Sequence, residues 1–560
     1  MGDGQRTVRL LGALPVSGAE LEPGRDLLLP DDPAAADAPA GTLLHDWLDA
    51  GARRRAQEDA DRAMAAWRAR SDSALSPEGI CLPAVFAGHL QVDAFLTVTR
   101  IAAAIPAFVE AERPSRVELR GLDPDLSEGL AAALEGLGVS ARVSAFGPPA
   151  RYPLGLARSA RRSRLTPLRE TLGVPGRPRG KALIQPFRNL SGLWTALPAR
   201  GINPVLDPLL PPPLPPRELA VRIRRGGFIG HPGAVARRRS RAELRRTLAA
   251  VAEPSGQSDD PLAALAERRA LELLGQLAGD TMALAGVFRA AVGRGLRAAV
   301  VPSDTAPYAR TFAAATRELG GTLVRVQHGF YGDLWRVDGE LVPYVDGLEA
   351  ERVAVWTPRD AVRLQGVARG EISVTGNPGA AELVTTGGDG TAAVVLLQSP
   401  SLTTLSFDVR ASRRYVTEAL AGLAAAGFSG PVVLRPHPLD PTDYGRVAAR
   451  APGASVTSRG TLAATLQRAR LCIGTVSTGT LEAVASGVPT VFLDVTGAGL
   501  PWPFDGSGAL PRATDRASLA ETLANIDATV ERSRVAAREA LGARPDALDR
   551  VVDLVADAVR

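Results

Sequence analysis

The chain has 560 residues, of which 45% are hydrophobic and 22% charged, a globular profile too long for one ordinary core, so two or three α/β units are expected. Aromatic residues make up only 4%, which excludes a stacking-based binder of single strands, and no nucleic-acid partner is expected. The formal net charge is +5 and Lys181 is the only lysine, so the positive charge is arginine; guanidinium recognition of phosphates and a GC-rich coding sequence both give that bias.

The opening segment Met1–Gly18 lacks the sustained apolar core of a secretory signal, and no later stretch approaches the ~20 apolar residues of a membrane span. Any membrane contact is therefore expected to be peripheral. Residues up to Pro77 are rich in Ala, Asp and Pro and contain one helix, Leu43 to Arg70, with no readable chemistry. From Ile80 to Ser144 two helical patterns surround the strand Arg116–Leu122, a small α/β unit. Asp123-Pro-Asp125 has the spacing of an acidic metal-binding pair, far in the chain from every other motif. The Pro- and Arg-rich passage Gly147–Arg179 has linker chemistry, which makes residues 1–180 an amino-terminal extension. Cys81 and Cys472 are the only cysteines, so no disulfide framework or cysteine-rich metal site is available and a reducing, cytoplasmic setting is expected.

A β run at Lys181–Gln185 and another at Asn203–Leu206 begin the next unit, and the prolines of Pro208–Pro216 break the pattern. Two stretches are dense in arginine, Arg158–Arg169 and Arg222–Arg246; both read as solvated surface. His231, in a Gly-His-Pro-Gly turn, reads as structural. A long helix from Pro261 to Arg294 precedes the buried-type strand Leu296–Val301, which ends at Pro302-Ser303-Asp304. The helix Ala306–Leu319 and the strand Thr322–Gln327 follow, running into His328-Gly329. This order implies a parallel sheet, in which ligands bind beyond the carboxyl ends of the strands. Asp304, Gln327 and His328 thus belong to the ligand edge of an acceptor-side domain, residues 181–345.

Six further β runs alternate with helices: Arg352–Trp356, Glu371–Thr375, Ala392–Gln398, Pro431–Arg435, Leu471–Gly474 and Thr490–Asp494. They predict a second, donor-binding Rossmann-like domain over residues 346–530. The helical stretch Ser518 to Arg560 closes the chain, with residues 531–560 as a terminal helix and part of it expected to cross back to the first domain.

The clearest local signal is the strand Leu471–Gly474, which meets a tight turn, Ser477-Thr478-Gly479-Thr480, that opens a helix ended by Gly487. Free amides, the helix dipole and three hydroxyls make a phosphate site, and Glu482 lies one turn in, within reach of a sugar or ribose hydroxyl. The plainer reading makes Ser477 a helix cap and Glu482 an ordinary first-turn acid. Gly474 and Gly479 have P-loop spacing, but Thr480 stands where the lysine belongs. Thr475 replaces the first glycine of a hydrolase elbow, so Ser477 is not read as a nucleophile.

A second strand runs into Arg435-Pro436-His437-Pro438, whose prolines aim the imidazole out of the strand end, toward a donor phosphate or a loop carbonyl. At Gln327-His328-Gly329 the glycine permits a sharp turn, and His328 is either a general base facing the cleft or a buried structural residue. Ser399, Ser401 and Asn377 lie in strand-end loops and either line a nucleotide cleft or serve as turn residues.

Gln327-His328-Gly329, Thr375-Gly376-Asn377-Pro378, Arg435-Pro436-His437-Pro438 and Ser477-Thr478-Gly479-Thr480-Leu481-Glu482-Ala483 occur in that order between Ala298 and Leu523. Together they resemble the bacterial CDP-glycerol glycerophosphotransferases and the related capsule polysaccharide transferases and sialyltransferases with a His-Pro motif. The resemblance implies a GT-B-like α/β architecture, two Rossmann-like domains facing across a cleft, here with an additional amino-terminal α/β segment. It implies that His328 activates the acceptor and that His437 and Arg435 meet the phosphate or leaving group. Ser477, Thr478, Gly479 and Thr480 would hold the phosphates, and Glu482 the ribose. It further implies a nucleotide-activated donor, CMP- or CDP-linked, a glycan or polyol acceptor of a surface polysaccharide, no cofactor and no bound metal. The second acidic signature of a sialyltransferase is absent, residues 1–180 lie outside the resemblance, and a membrane-binding basic patch is suggested only at Arg222–Arg246. An epimerase of the UDP-GlcNAc 2-epimerase type and a non-catalytic binding protein of the same fold are the alternatives.

Overall fold

The computed structural model describes residues 7–12, 21–29, 38–146, 177–207, 215–230, 232–252, 261–329, 336–337, 340–341, 348–380, 390–398, 409–437, 444–496 and 510–560. Three parallel sheets organise them. The first is made by β1 (Thr7–Leu11), β2 (Asp26–Leu28), β3 (Arg116–Leu122) and β4 (Ser140–Phe146), in the order β2-β1-β3-β4. β1 and β2 are absent from the sequence-based expectation because they are too short to display a period, although Val8, Leu10, Leu27 and Leu28 are fully buried. Arg9 on β1 forks onto Asp26 on β2, with Nη2 to Oδ2 at 2.7 Å, which fixes the pairing of two strands that lie 17 residues apart.

The helix predicted from Leu43 divides into a 3-10 turn, Leu44–Trp47, and α1 (Ala50–Ser71), which begins where the Asp49 side chain accepts from the amide of Ala52. The helical run Pro77–Glu112 corrects the expectation about apolar stretches. It contains an 18-residue window of mean hydropathy 1.6, long and apolar enough to cross a membrane by length and composition. Half of that window is buried in the protein, where Leu90, Phe95, Ile101 and Phe108 join Trp67 in one core. The expected helix over Pro261–Arg294 is likewise two, α2 (Pro261–Leu277) and α3 (Thr281–Gly293), divided by a 3-10 turn at Ala278-Gly279-Asp280, where two poor helix formers adjoin. Leu265 and Leu274 of α2 share a continuous core with Leu130 of the amino-terminal unit and Leu183 of the second sheet. Arg269 of α2 is paired with Asp123, which also caps its own helix, so the Asp123/Asp125 spacing serves structure.

The second sheet comprises β5 (Ala182–Ile184), β6 (Pro204–Val205), β7 (Ala298–Val301), β8 (Thr322–Val326), β9 (Arg352–Val355) and β10 (Glu371–Val374), ordered β10-β9-β8-β7-β5-β6. The third comprises β11 (Ala392–Leu396), β12 (Val432–Arg435), β13 (Ala454–Val456), β14 (Ala469–Gly474), β15 (Thr490–Leu493) and β16 (Arg512–Ala513), ordered β13-β12-β11-β14-β15-β16. Both are wholly parallel, and each has the short, continuously apolar strands of a sheet covered on both faces, as in the all-buried runs Ala298–Val301 and Ala392–Leu396. The chain therefore contains two Rossmann-like α/β domains beside its amino-terminal unit.

Sheet membership differs from the expectation at one place. β9 pairs with β8 and β10 pairs with β9, which completes the first Rossmann-like sheet, so the changeover between sheets falls after Val374 rather than near residue 346. Alternation of helix and strand is identical on both sides of that point, and pairing partners are a tertiary property. The second domain recovers six strands with β13 and β16, which are too short and too exposed, or at an edge, to stand out in sequence. The last helix, α4 (Ala547–Ala558), returns to the first Rossmann-like domain, where Val551, Val552 and Val555 pack with Ala182, Ile184 and Val324.

Candidate functional site

A doubly wound sheet opens a crevice where its strand order reverses, because the two flanking loops leave in opposite directions. In the first Rossmann-like domain that point lies between β5 and β7. The loop after β5 carries Gln185-Pro186-Phe187-Arg188-Asn189, the loop after β7 carries Pro302-Ser303-Asp304, and the adjoining β8 delivers Gln327-His328-Gly329. In the second domain the reversal lies between β11 and β14, and the segment after β14 is Thr475-Val476-Ser477, which opens the helix Thr478–Ala485.

His328 is held by its backbone and by one ring nitrogen. Its Nδ1 lies 2.8 Å from the carbonyl oxygen of Pro302, which can only accept, so the proton sits on Nδ1 and the lone pair on Nε2. The Phe187 ring meets the imidazole edge-on at 5.3 Å. The residue is exposed at the strand end, yet neighbouring protein crowds the imidazole enough to desolvate it in part. This crowding lowers its pKa below the ordinary histidine value, the Pro302 contact opposes the shift, and the Arg325 charge adds to it. A neutral imidazole with its lone pair on Nε2 is the state required of a general base.

Gln327 and Asp304, expected on the acceptor side, turn inward. Gln327 is buried; its Oε1 accepts from the Trp356 amide at 2.8 Å and its Nε2 donates to the Gly329 carbonyl at 2.9 Å. The Gln327 carbonyl accepts from Asn189 Nδ2 at 2.8 Å and from Trp356 Nε1 at 2.9 Å, so this residue is the strut that fixes the His328 turn. Asp304 is 0% exposed, pairs with Arg325 at 3.0 Å and accepts from the Ala350 amide at 3.1 Å. A carboxylate buried against a guanidinium holds β7, β8 and the segment leading to β9 together and offers nothing to an acceptor.

Across the crevice, Ser477 caps the helix: its Oγ accepts from the Thr480 amide at 3.2 Å and lies 3.0 Å from Thr480 Oγ1. Thr480 is fully buried and donates to the Thr475 carbonyl at 2.7 Å, so its hydroxyl serves the turn and not a ligand. Thr478 and Gly479 are half-buried at the helix start, where no residue of a helix has an intrahelical acceptor for its amide. A Cβ added at Gly329 would stand 3.3 Å from Thr478 Oγ1, which shows how closely the His328 turn and the helix start approach. Glu482, on the same helix, bonds through Oε2 to Arg188 Nη1 at 2.8 Å.

Arg435 ends β12 and donates to the carbonyls of Arg459 at 3.1 Å and Gly460 at 2.8 Å. Burial lowers its pKa, and the nearby Arg188 charge lowers it further. His437 follows Pro436 on the surface of the same loop. Asn377 is buried as a turn residue, its Oδ1 accepting from the Gly379 amide at 2.9 Å and its own amide donating to the Gly542 carbonyl at 3.0 Å. Its neighbour Gly376 has φ +83°, and a Cβ there would meet the Gly542 carbonyl oxygen at 2.8 Å, so this turn requires glycine. Ser399, Ser401 and His231 lie outside the described residues.

His328, Thr478, Glu482 and Arg435 thus gather around one interdomain crevice, whereas Asp304, Gln327, Asn377, Ser477 and Thr480 build its walls. Sequence reasoning missed Arg188 and Asn189; their one signal is their place in a polar loop directly after β5. Gln185 Oε1 and Asn189 Oδ1, in that loop, are buried with no hydrogen-bond partner among the described residues.

The sequence matches no family model and no curated protein. Among solved structures it is similar to Os79 of O. sativa in complex with UDP, at 14% identity over 68% of this chain and 100% of that one, with a TM-score of 0.39. It is similar to S. aureus MnaA with UDP, at 12% identity over 67% and 96%, TM-score 0.40. It is also similar to CalG4, the calicheamicin glycosyltransferase, at 16% identity over 68% and 99%, TM-score 0.36.

Proposed function

We propose that this chain is a transferase that moves a sugar or polyol-phosphate group from a nucleotide-activated donor, cytidine-linked, to a hydroxyl of a surface-polysaccharide or related glycan acceptor. The observation that carries the reading is His328: an exposed imidazole whose Nδ1 lies 2.8 Å from the Pro302 carbonyl, which leaves Nε2 as the acceptor, on a turn that closely approaches the helix start at Thr478. In this scheme Nε2 takes the acceptor's hydroxyl proton as the oxygen forms its bond to the transferred group. The bond to the nucleotide breaks, and its electron pair leaves on a phosphate oxygen. The amides of Thr478 and Gly479, with Arg435 and His437, meet that charge. The order of the four short motifs along the chain supports a cytidine-linked donor, and the exposed basic helix Ala234–Ala252 supports a peripheral contact with the inner membrane face.

The experiment is a transfer assay with CMP-, CDP-, UDP- and GDP-linked donors, run beside thermal shifts with the free nucleotides. Turnover with stabilisation by CMP or CDP upholds the reading. Selective stabilisation by UDP moves the donor to uridine, and neither turnover nor stabilisation by any of the four overturns it.

A further inference from the structure

Arg188 belongs to the first Rossmann-like domain and Glu482 to the second, yet they are bonded at 2.8 Å across the crevice. Arg188 keeps 45% of its side chain exposed while Glu482 keeps 12%, so the guanidinium bridges the opening from the solvent side and the carboxylate lies deeper. Arg435 reaches the same place from β12, close enough for Arg188 to disfavour its charge, and among the described residues its bonds go to two carbonyls and to no carboxylate. Two guanidinium groups and one helix start therefore converge, and among the described residues the acid bonded there is Glu482. The arrangement is rich in positive potential and suits an anion with several oxygens better than it suits one carboxylate.

We propose that Arg188 is a phosphate-binding residue which the first domain contributes to the donor site, and that Glu482 occupies it until the donor arrives. The inference rests on the reading of the crevice as a nucleotide site. On binding, a phosphate oxygen replaces Glu482 Oε2 on Arg188, and the released carboxylate turns to a hydroxyl of the incoming ligand. The exchange of one charged partner for another on a half-exposed guanidinium involves little new desolvation, so the pair holds the two domains in register without blocking entry. Phe187, adjacent to Arg188 and edge-on against His328, links the occupancy of this residue to the placement of the base.

The test is calorimetric titration of the full chain and of R188A and E482Q with inorganic pyrophosphate and with CMP, CDP, UDP and GDP. R188A is expected to weaken pyrophosphate and the best-bound nucleotide about 10- to 100-fold, the range for losing hydrogen bonds to a charged group. E482Q is expected to bind pyrophosphate more tightly than the unaltered chain, because Arg188 no longer has a carboxylate to give up and pyrophosphate has no sugar or polyol hydroxyl for Glu482 to hold. The near-ultraviolet dichroism of each variant establishes that it is folded. R188A binding both probes as well as the unaltered chain, or E482Q binding pyrophosphate more weakly, overturns the proposal. An unaltered chain that binds pyrophosphate through Arg188 but transfers nothing from any donor overturns the transferase reading alone, and one that binds neither pyrophosphate nor any nucleotide overturns both.

Discussion

The Nδ1 of His328 and the carbonyl of Pro302 are 2.8 Å apart, joining the turns that end two neighbouring strands. This bond decides which nitrogen carries the proton, and partial desolvation by the surrounding protein lowers the pKa below the ordinary histidine value near 6.5. A base in this state is active when neutral, so kcat/KM is expected to fall on acidification with an apparent pKa below that value. H328A is expected to lose about 10²- to 10⁴-fold in turnover, the usual yield of general-base catalysis, while its unfolding midpoint stays near that of the parent. Steady-state rates from pH 5 to 8 check both points, and a flat acid limb rules out the assigned role.

The same shift has a stability sign. The folded state binds fewer protons at His328 than the unfolded chain, so its contribution is fully present above the unfolded value near 6.5 and is lost as pH falls through the lower, folded one. Urea unfolding of the parent is expected to weaken across that window by more than unfolding of H328A does. Equal pH slopes would show that the imidazole is not shifted.

Asp304 and Arg325 form a buried pair, and removing one partner leaves the other charged in an apolar setting. D304A is expected to destabilise the chain by about 3–5 kcal/mol, whereas D304N, which keeps a hydrogen-bonding oxygen, is expected to lose less. Denaturant unfolding followed by circular dichroism measures the difference. A D304A chain of unaltered stability that loses only acceptor binding would return this residue to the ligand edge.

The two thiols should report folding differently. Cys472 is buried in β14 and burial raises its pKa strongly; Cys81 is partly exposed, and burial raises its pKa also. A thiol reagent at pH 8 is expected to modify Cys81 slowly and Cys472 not at all in the native chain, and both at once in urea. Rapid native labelling of Cys472 would mean that the third sheet opens.

Most of the architecture was legible in the residues, because apolar runs such as Ala298–Val301 and Ala392–Leu396 mark buried parallel strands and the helices between them are amphipathic. What could not be read was pairing: β9 and β10 have the same pattern as the strands of either sheet, and only the registers Val324 with Arg352 and Arg352 with Glu371 assign them. The site divided in the same manner. Position at a strand end was readable for His328, Arg435 and Ser477, but side-chain direction was not, and Asp304 and Gln327 turned out to point into the protein. Arg188 carried no motif at all; its role depends on a partner 294 residues away.

The basic helix Ala234–Ala252 presents Arg238, Arg239, Arg241, Arg245 and Arg246 on its exposed surface, and Val235 beside them is 66% exposed. Arg241 is tied to Asp280 and Arg246 to Glu243, so Arg238 and Arg239 are the better probes of an anionic surface. Each basic group near such a surface contributes about 1 kcal/mol, and reversing these two to Glu is expected to reduce binding to phosphatidylserine vesicles by at least about 30-fold. The interaction should weaken as salt rises, because the Debye length contracts to about 3 Å at 1 M. Co-sedimentation with anionic and with zwitterionic vesicles at low and high salt makes the comparison. Equal binding to both kinds of vesicle, or no loss on charge reversal, would remove the membrane contact from this helix and leave the arginines as solvated surface.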